Sequence, residues 1–303
     1  MSESLYLLLI IFYSLIYLKE KKTYGLETLC ILLLLIVTPE KLFWDLPNYV
    51  KDASRDFDFL MGVSSRTIQN GYMALYMIAY PLCYYIYSYT TKADSLDRLL
   101  FFTFTFFTLG LNQLYLCFSI SCYLLFSYSN KLWVKLLFLA LALLCHLSIF
   151  IVLIFEVYKY NKKLGVGLFI LAIAVLYYDP FIYLKFSSID ERIDKLTELK
   201  ENSGWSVYTI RSQIFSYVCL VIVAIMKKNV QALLFVVLFM LFSLVIINLH
   251  AVFVRRLVEL LFIGWIIFFV SRSDAHKINP IPLFFTKLAV IVFLVRSALP
   301  FFK

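Results

Sequence analysis

The stretch LLFLALALLCHLSIFIVLIF (residues 136–155) carries the strongest fold signal in the chain. It is apolar apart from His146, Ser148 and Cys145, and as a helix it matches the thickness of a membrane core, roughly 30 Å. An imidazole in hydrocarbon must lie neutral and hydrogen-bonded, or carry its charge at high cost. The stretch therefore predicts membrane-spanning helix with one polar position that needs a physical reason.

The composition is that of a polytopic membrane protein. Of the 303 residues, 63% are hydrophobic and 16% are charged, and the mean hydropathy is +0.88. Short charged loops separate apolar blocks at about 5–18, 24–40, 68–89, 97–127, 132–157, 164–184, 206–226, 229–249, 257–271 and 280–301. We expect an all-α fold, one integral membrane domain over residues 1–303, with about ten to twelve transmembrane helices, some short or broken. The first block lacks the basic start and cleavage site of a removed signal peptide, so we expect it to be the first spanning helix.

Charge and cysteine content exclude several classes of function. The formal net charge is +9, but much of the Lys and Arg lies in short loops, where it sets membrane orientation, so nucleic acid is not an expected partner. The six cysteines lie in apolar blocks without the paired spacing of a zinc or redox site. We expect them to be small core residues, and we expect neither a metal nor a cofactor.

Two blocks, 97–127 and 132–157, exceed the length of a typical spanning helix and carry polar residues near their middles. Asn112 and Gln113 lie in the first block, and His146 lies in the second. Each block is either one long helix or a hairpin of two short ones. The basic clusters can all be cytoplasmic if the N-terminus is outside: Lys19 to Lys22, Lys92 with Arg98, Lys159 with Lys162 and Lys163, and Lys227 with Lys228. The lysines between the two blocks favour the hairpins, with twelve crossings. Both bends then approach the outer face, where irregular backbone needs cover by protein or a water-filled cavity.

The same orientation places two longer loops outside, at 41–67 and 185–205. The second loop has apolar residues at helical spacing and can form a short amphipathic helix on the interface. It is either a lid over an outward cavity or a plain interfacial connector.

Chemistry in this chain must come from dispersed polar residues, because the sequence has no phosphate-binding glycine loop, CxxC pair, HExxH or GxSxG motif. Arginines dominate the outward-facing set. A guanidinium binds phosphate oxygens with a planar fork, which suits the pyrophosphate of a membrane lipid carrier. The outward-facing candidates are Asp45, Tyr49, Arg55, Arg66, Asn112, Gln113, His146, Arg192, Arg211, His250, Arg255 and Arg256.

The late stretch NLHAVFVRRLVEL places His250, Arg255 and Arg256 where one predicted helix ends outside and the next begins. These residues form either an anion clamp or a helix end anchored in the headgroups. Arg211 lies early in the 206–226 block, where it either faces a polar cavity or extends to the outer surface.

Two further positions have both a functional and a structural interpretation. For His146 the alternatives are a substrate-contacting imidazole and a core histidine bonded to a backbone carbonyl, and membrane depth favours the first. In WDLPNYV, Asp45 and Tyr49 either form a surface turn near Pro47 or place a carboxylate where it orients or deprotonates a sugar hydroxyl.

Several of these stretches together resemble the polysaccharide polymerases of bacterial surface-glycan assembly, the O-antigen polymerase (Wzy-type) and EpsG-type family. WDLPNY resembles their external Asp-x-x-x-Tyr element, and NGYMALYMIAYP resembles the Gly-aromatic start of the following helix, with Asn where the family often has Glu. LGLNQLYLCFSISCYLL resembles their Arg-Gln segment, but Asn112 replaces the arginine while Gln113 is kept. The His-x-Ser element matches His146 and Ser148, and RRLVELLFIGWIIF resembles the arginine of a late helix, most naturally Arg256.

The resemblance implies a metal-independent glycosyltransferase of GT-C-like architecture, multi-pass in the bacterial cytoplasmic (inner) membrane. A growing glycan leaves undecaprenyl pyrophosphate and joins a lipid-linked repeat unit on the outer face. The implied partners are the undecaprenyl-pyrophosphate-linked oligosaccharide, membrane lipid and a chain-length regulator of the Wzz type, and no cofactor is implied.

The resemblance also implies roles for the candidate residues. The catalytic set is His146, Asp45 and Arg256; either His146 or Asp45 accepts the proton of the attacking hydroxyl. The substrate-binding set for pyrophosphate and glycan is Arg255, Arg211, Arg66, Tyr49, Asn112, Gln113 and His250. The arginine missing at position 112 suggests that Arg55, Arg66 or Arg211 compensates.

Two other classes remain open at the level of sequence. One is a flippase or transporter of lipid-linked glycans, against which the lack of an internal repeat counts. The other keeps the glycosyltransferase class but changes the acceptor, as in an O-antigen ligase or a phosphoprenol-dependent single-sugar transferase.

Overall fold

The structure, a computed structural model, is helical wherever it describes the chain. It describes residues 3–18, 23–38, 43, 46–47, 49–51, 53, 65–111, 113–146, 149–177, 217–218, 220–246, 263–264, 266–267 and 280–298. Over these residues it contains helices and no strand, which confirms the all-α class. The chain divides into two compact units, residues 1–149 with 274–303, and residues 150–273. The single membrane domain expected for residues 1–303 stays a prediction.

Most of the described helices belong to the first unit. Its helices are α1 (Glu3–Leu15, followed by a 3-10 turn, Ile16–Leu18), α2 (Tyr24–Ile36), α3 (Ser65–Thr91), α4 (Ser95–Thr105, followed by a π-helical segment, Phe106–Gly110), α5 (Leu114–Tyr128), α6 (Leu132–Cys145) and, late in the chain, α10 (Pro280–Ala298). Helix α5 packs against α3 and α6, α2 packs against α3, and α10 packs against α1 and α4.

The second unit contains three of the described helices. They are α7 (Ile149–Tyr160), which begins at the boundary between the units, α8 (Lys162–Tyr177) and α9 (Val230–Ile246). Helix α9 packs against α8, and Phe235 of α9 meets the ring of Tyr158 edge-on at 5.0 Å.

Aromatic side chains dominate the core of the first unit. Phe102 of α4 packs against Tyr13 of α1 with ring centroids 4.7 Å apart, and Tyr87 of α3 stacks on Phe101 at 4.0 Å. Helix α4 begins where it does because the Asp94 side chain accepts a hydrogen bond from a backbone N–H of the first turn at 2.8 Å. The cap fixes the residue at which α4 begins, and the buried face of α4 packs in the aromatic core.

The two long apolar blocks are interrupted at the positions where polar residues interrupt the sequence. In the first, the π-helical segment ends at Gly110 and α5 begins at Leu114. A Cβ at Gly110 would lie 3.0 Å from Cγ of Tyr80, so glycine lets this break pack directly on the tyrosine ring. In the second block α6 ends at Cys145 and α7 begins at Ile149. Within the described residues α4 and α5 do not lie side by side, so the first interruption is a broken helix and not a hairpin.

Among the described residues, no helix combines the length and the apolarity that crossing a membrane requires. The ten to twelve transmembrane helices expected from the sequence are therefore not found over this part of the chain. The physical reason is helix length, because many of the helices span only 11 to 17 residues, roughly 16 to 26 Å at a rise of 1.5 Å per residue. Helix α3 is longer, at 27 residues, but it carries Arg66, Gln69 and Asn70 in its first turns.

Candidate functional site

Four of the candidate residues lie in the described part of the chain: Tyr49, Arg66, Gln113 and His146. All four belong to the first unit. The other candidates lie outside the described residues: Asp45, Arg55, Asn112, Arg192, Arg211, His250, Arg255 and Arg256. The geometry of the site is therefore built from the first four residues and their neighbours.

Tyrosines from three separate segments of the chain meet at one place. We call Tyr49, Tyr72, Tyr76 and Tyr115 the tyrosine cluster. Tyr72 and Tyr76 are one turn apart on α3 and share a face, and Tyr115 lies in the first turn of α5. The ring of Tyr49 stacks on Tyr72, with centroids 5.6 Å apart and planes 16° apart. It meets Tyr115 edge-on, at 5.2 Å and 89°. Both arrangements are favoured by the ring quadrupole.

Apolar contacts beneath the cluster hold the described part of the 41–67 loop against α3. Phe43 packs on Tyr76 with centroids 5.2 Å apart, and both side chains are 1% exposed. Leu46 is buried as well, at 2% exposure. Burial of each large apolar side chain contributes about 1.5–3 kcal/mol. These contacts place Tyr49 over the start of α3, which the sequence alone did not show.

Gln113 lies at the helix break beside the cluster. Its backbone closes the break, because its N–H donates to the Leu109 carbonyl at 3.1 Å and its carbonyl accepts from Cys117 at 3.1 Å. The side chain of Gln113 makes no capping hydrogen bond to α5, and the residue is half-buried. Its amide, two residues before Tyr115, therefore remains available for another partner.

Arg66 lies in the first turn of α3 and is exposed. It precedes Tyr72 by six residues, roughly 9 Å along the helix axis. At 3.6 residues per turn, six residues also place Arg66 on a different face of α3 from Tyr72, so Arg66 lies outside the tyrosine cluster.

His146 terminates α6, and a serine of α5 fastens this end. The hydroxyl of Ser119 donates to the Ala142 carbonyl at 2.6 Å and lies 3.4 Å from the His146 carbonyl. The His146 carbonyl also accepts a hydrogen bond from the Ile149 N–H at 3.2 Å, which starts the next helix. The backbone at His146 is extended, with φ −162° and ψ 114°, and the residue is half-buried. His146 thus ends α6 with both of its backbone groups hydrogen-bonded, where the sequence had left one long helix and a hairpin as alternatives.

One face of α5 connects the two candidate regions. Tyr115 and Ser119 are four residues apart, so they lie one above the other on the helix, roughly 6 Å apart along its axis. Tyr115 contacts Tyr49 and Ser119 contacts the His146 break. The structure therefore brings Tyr49, Gln113 and His146, which come from three different stretches, next to consecutive turns of the same helix.

A second polar cluster, which the sequence analysis missed, lies deep in the first unit. Its centre is an ion pair between Glu27 of α2 and Arg98 of α4, and each side chain is 1% exposed. The Arg98 Nε donates to Glu27 Oε2 at 2.8 Å and Nη2 donates to Oε1 at 3.0 Å. Nη1 donates to the Ala93 carbonyl at 2.7 Å, and the Tyr24 ring lies 5.0 Å below the guanidinium. The pair is thus bidentate, the strongest geometry for these groups.

Hydroxyl groups of the protein donate the remaining hydrogen bonds to the buried Glu27 carboxylate. Tyr84 donates to Glu27 Oε2 at 2.6 Å, and Thr23 donates to Oε1 at 3.0 Å. Because the single Tyr84 proton is used on Glu27, the 2.7 Å contact between Tyr17 and Tyr84 must be donated by Tyr17. Tyr17 in turn accepts from Tyr13. The hydroxyl protons of this chain are donated toward Glu27, so the arrangement supplies hydrogen bonds to the carboxylate in addition to those from Arg98.

The signal that could have identified this cluster was the acidic residue itself. Glu27 lies within an apolar helix, where a carboxylate requires a partner. Arg98 had been counted among the basic residues that orient loops, but the structure buries it in α4. The two clusters differ in what they can do. The ion pair is saturated with partners and holds α2, α3 and α4 together, whereas the tyrosine cluster is partly open and can receive a ligand.

The described cysteines and acidic residues add no further site. Cys30, Cys83, Cys117, Cys122 and Cys145 form no disulfide. In the part of the chain that the structure describes, no His, Cys, Asp and Glu side chains gather in a group of three that could hold a metal ion.

Comparison with known proteins finds no family model that matches this chain, and no match among curated proteins or solved structures.

Proposed function

We propose that the protein is a bacterial surface polysaccharide (O-antigen or exopolysaccharide) polymerase. It transfers a growing glycan from undecaprenyl pyrophosphate to a lipid-linked repeat unit on the outer face of the cytoplasmic membrane. The observation that carries the proposal is the meeting of Tyr49, Tyr72 and Tyr115. These residues come from the three early stretches, WDLPNY, NGYMALYMIAYP and LNQLY, that resemble the polymerase family.

The proposal includes an integral membrane fold of GT-C-like architecture with about ten to twelve crossings. Its support is the apolar outer surface of the described helices. Leu144 is 82% exposed, Phe12 and Leu132 are each 71% exposed, and Phe285 is 62% exposed. Many other large apolar side chains of these helices are exposed as well, among them Leu8, Trp133 and Leu234. Lipid is the surrounding that makes these side chains favourable, while the charged Glu27 and Arg98 are buried inside.

The transfer reaction needs three things from the protein. The acceptor hydroxyl oxygen attacks the anomeric carbon of the growing glycan, and the bond from that carbon to the pyrophosphate oxygen breaks. The electron pair leaves on undecaprenyl pyrophosphate, where Arg255 and Arg256, with Arg211 as the second choice, hold the developing charge. The hydroxyl proton passes to His146 or Asp45. Holding two lipid-linked substrates side by side supplies much of the remaining rate.

The described geometry supports a place for the acceptor near α5. Gln113 presents an amide without a capping role, and His146 lies at the C-terminal end of α6. Both flank the same turns of α5 as the tyrosine cluster. Arg66, exposed at the start of α3, takes the supporting role that the missing arginine at position 112 requires.

Reconstitution in liposomes tests the proposal directly. The purified full-length protein is given a lipid-linked repeat unit and the glycan products are sized. A polymerase lengthens the glycan, whereas a flippase changes its sidedness without lengthening it. Products of unchanged length would refute the polymerase assignment.

Two variants test the site in the same assay. His146→Ala and Arg256→Ala are each expected to abolish chain extension while membrane insertion stays intact. Lys163→Ala is the matched control. It removes an exposed cation in the first turn of α8, in a basic segment that the sequence predicts to be cytoplasmic, and it should keep extension. Wild-type chain lengths in either site variant would remove that residue from the site.

A further inference from the structure

We propose that the tyrosine cluster is a carbohydrate subsite in which Tyr72 and Tyr115 bind one sugar ring of an oligosaccharide. The inference deepens the proposed function, since the oligosaccharide there is the lipid-linked repeat unit. It assigns Tyr72 and Tyr115, which the sequence did not single out, and it separates the glycan side of the site from the pyrophosphate side.

The first argument is the shape of the cluster. Tyr49 and Tyr72 form a stacked pair, and Tyr115 stands perpendicular to Tyr49 at 89°. The stacked rings of Tyr49 and Tyr72 offer a flat aromatic wall, and the Tyr115 ring stands at a right angle to it. The C–H face of a pyranose ring fits against a flat aromatic wall, because the negative ring face attracts the slightly positive C–H groups.

The second argument is the exposure of the cluster compared with other tyrosines on the same helix. Tyr115 is 40% exposed and Tyr72 is half-buried. By contrast Tyr80 and Tyr84 of α3 are fully buried. Their hydroxyls make bonds of 2.9 Å to Thr105 and 2.6 Å to Glu27. Helix α3 thus carries fully buried structural tyrosines at positions 80 and 84, whereas Tyr72, near its start, is more open.

The third argument concerns the hydroxyls of the open rings. The Tyr72 and Tyr115 hydroxyl oxygens are 3.4 Å apart, longer than the usual 2.5–3.0 Å for such a bond. A ligand hydroxyl can compete for so long a contact. An apolar occupant, such as an acyl chain or a hydrophobic protein surface, would cover the exposed contact at the Tyr115 hydroxyl without offering it a hydrogen bond. A sugar ring supplies both an apolar face and hydroxyls, so it is the occupant that the chemistry favours.

Helix α3 also offers a matched control pair. Tyr85 and Tyr89 stack with centroids 6.0 Å apart and planes 9° apart, and they are 41% and 64% exposed. This pair has a flat aromatic wall like that of the cluster, but it lies at the other end of α3. Substitution there removes an exposed tyrosine of the same kind without touching the subsite.

The test measures glycan binding by the full-length protein in detergent. An array of lipid-free bacterial surface oligosaccharides identifies a bound glycan, whose dissociation constant is then measured by titration. Tyr115→Leu is expected to weaken binding about tenfold, and Tyr72→Phe, which keeps the ring, is expected to weaken it by a smaller factor. Tyr85→Leu should bind like wild type. Circular dichroism and the elution volume on gel filtration verify that each variant is folded.

The outcomes separate this inference from the proposed function. Glycan binding that depends on Tyr115, without chain extension in liposomes, keeps the subsite and refutes the polymerase. Chain extension with an unchanged KM in Tyr115→Leu keeps the polymerase and refutes the subsite. The subsite is also refuted if no glycan on the array binds, or if Tyr85→Leu weakens binding as much as Tyr115→Leu.

Discussion

The buried pair of Glu27 and Arg98 allows a quantitative prediction about stability. Replacing Arg98 with Met leaves the Glu27 carboxylate buried with only hydroxyl partners, and replacing Glu27 with Leu leaves the guanidinium facing the Ala93 carbonyl and the Tyr24 ring. Removing one partner of a buried ion pair costs about 3–5 kcal/mol. We therefore expect either single variant to lower the free energy of unfolding by that amount.

The double variant, Glu27→Leu with Arg98→Met, is expected to behave differently. Neither charge remains, so the large electrostatic cost disappears. What remains is the Tyr84 hydroxyl and the Ala93 carbonyl without their partners, about 1–3 kcal/mol each if no water reaches them. The double variant is therefore expected to be more stable than the sum of the two single effects predicts, by about 4 kcal/mol at the middle of these ranges.

The assay is reversible denaturation of the purified full-length protein in detergent micelles, followed by circular dichroism. Lys163→Met is the control, because it removes an exposed cation and should change the free energy of unfolding by less than about 0.5 kcal/mol. Two results would refute the reasoning. One is an Arg98→Met variant within about 1 kcal/mol of wild type. The other is a double variant whose destabilisation equals the sum of the single ones, since that would show that the two charges do not interact.

Three further predictions use the same denaturation assay. Tyr84→Phe removes a donor to the buried Glu27 carboxylate and should lower the free energy of unfolding by about 1–3 kcal/mol. Tyr85→Phe, on the exposed side of the same helix, should change it by almost nothing, and equal losses would contradict the bond from Tyr84 to Glu27. Gly110→Ala places a Cβ 3.0 Å from the Tyr80 ring and should lower the free energy of unfolding. Gly71→Ala meets open space within a helix and should raise it by about 0.5–1 kcal/mol, and the opposite order would refute the packing at the break. Ser119→Ala should cost about 0.5–1.5 kcal/mol, because the Ala142 carbonyl loses its 2.6 Å hydrogen bond from the serine but keeps the one from the His146 N–H. An unchanged denaturation midpoint would contradict this contribution of Ser119.

The helix breaks were readable from the sequence for a local reason. Asn112 with Gln113, and His146 with Ser148, are polar residues inside otherwise apolar blocks, and such residues weaken a helix within a few positions of themselves. The structure ends the helical segments at Gly110 and Cys145, next to these residues. Whether the chain turns back or continues after a break depends on which neighbours each half packs against, and that information is not local.

The two clusters were not predictable, because their members are far apart in the sequence. Arg98 follows Glu27 by 71 positions, and the sequence analysis took the arginine for an orienting loop charge. Tyr49, Tyr72 and Tyr115 lie in separate segments, and their rings meet only after Phe43 is buried against α3. The resemblance named the stretches that contain these tyrosines, but it did not select Tyr72 or Tyr115.

The sequence by itself determined the all-α class, the positions of the helix interruptions and the apolar character of the helix surfaces. These properties follow from short-range backbone preferences and from the side chains of each helix taken singly. Only the tertiary structure decided that Glu27 is neutralised by Arg98, that Ser119 bonds to the end of α6, and that Tyr49 packs against both Tyr72 and Tyr115. Each of these requires two or three helices to pack at a particular register. That register is set by the sum of many weak long-range contacts, which no single stretch of sequence contains.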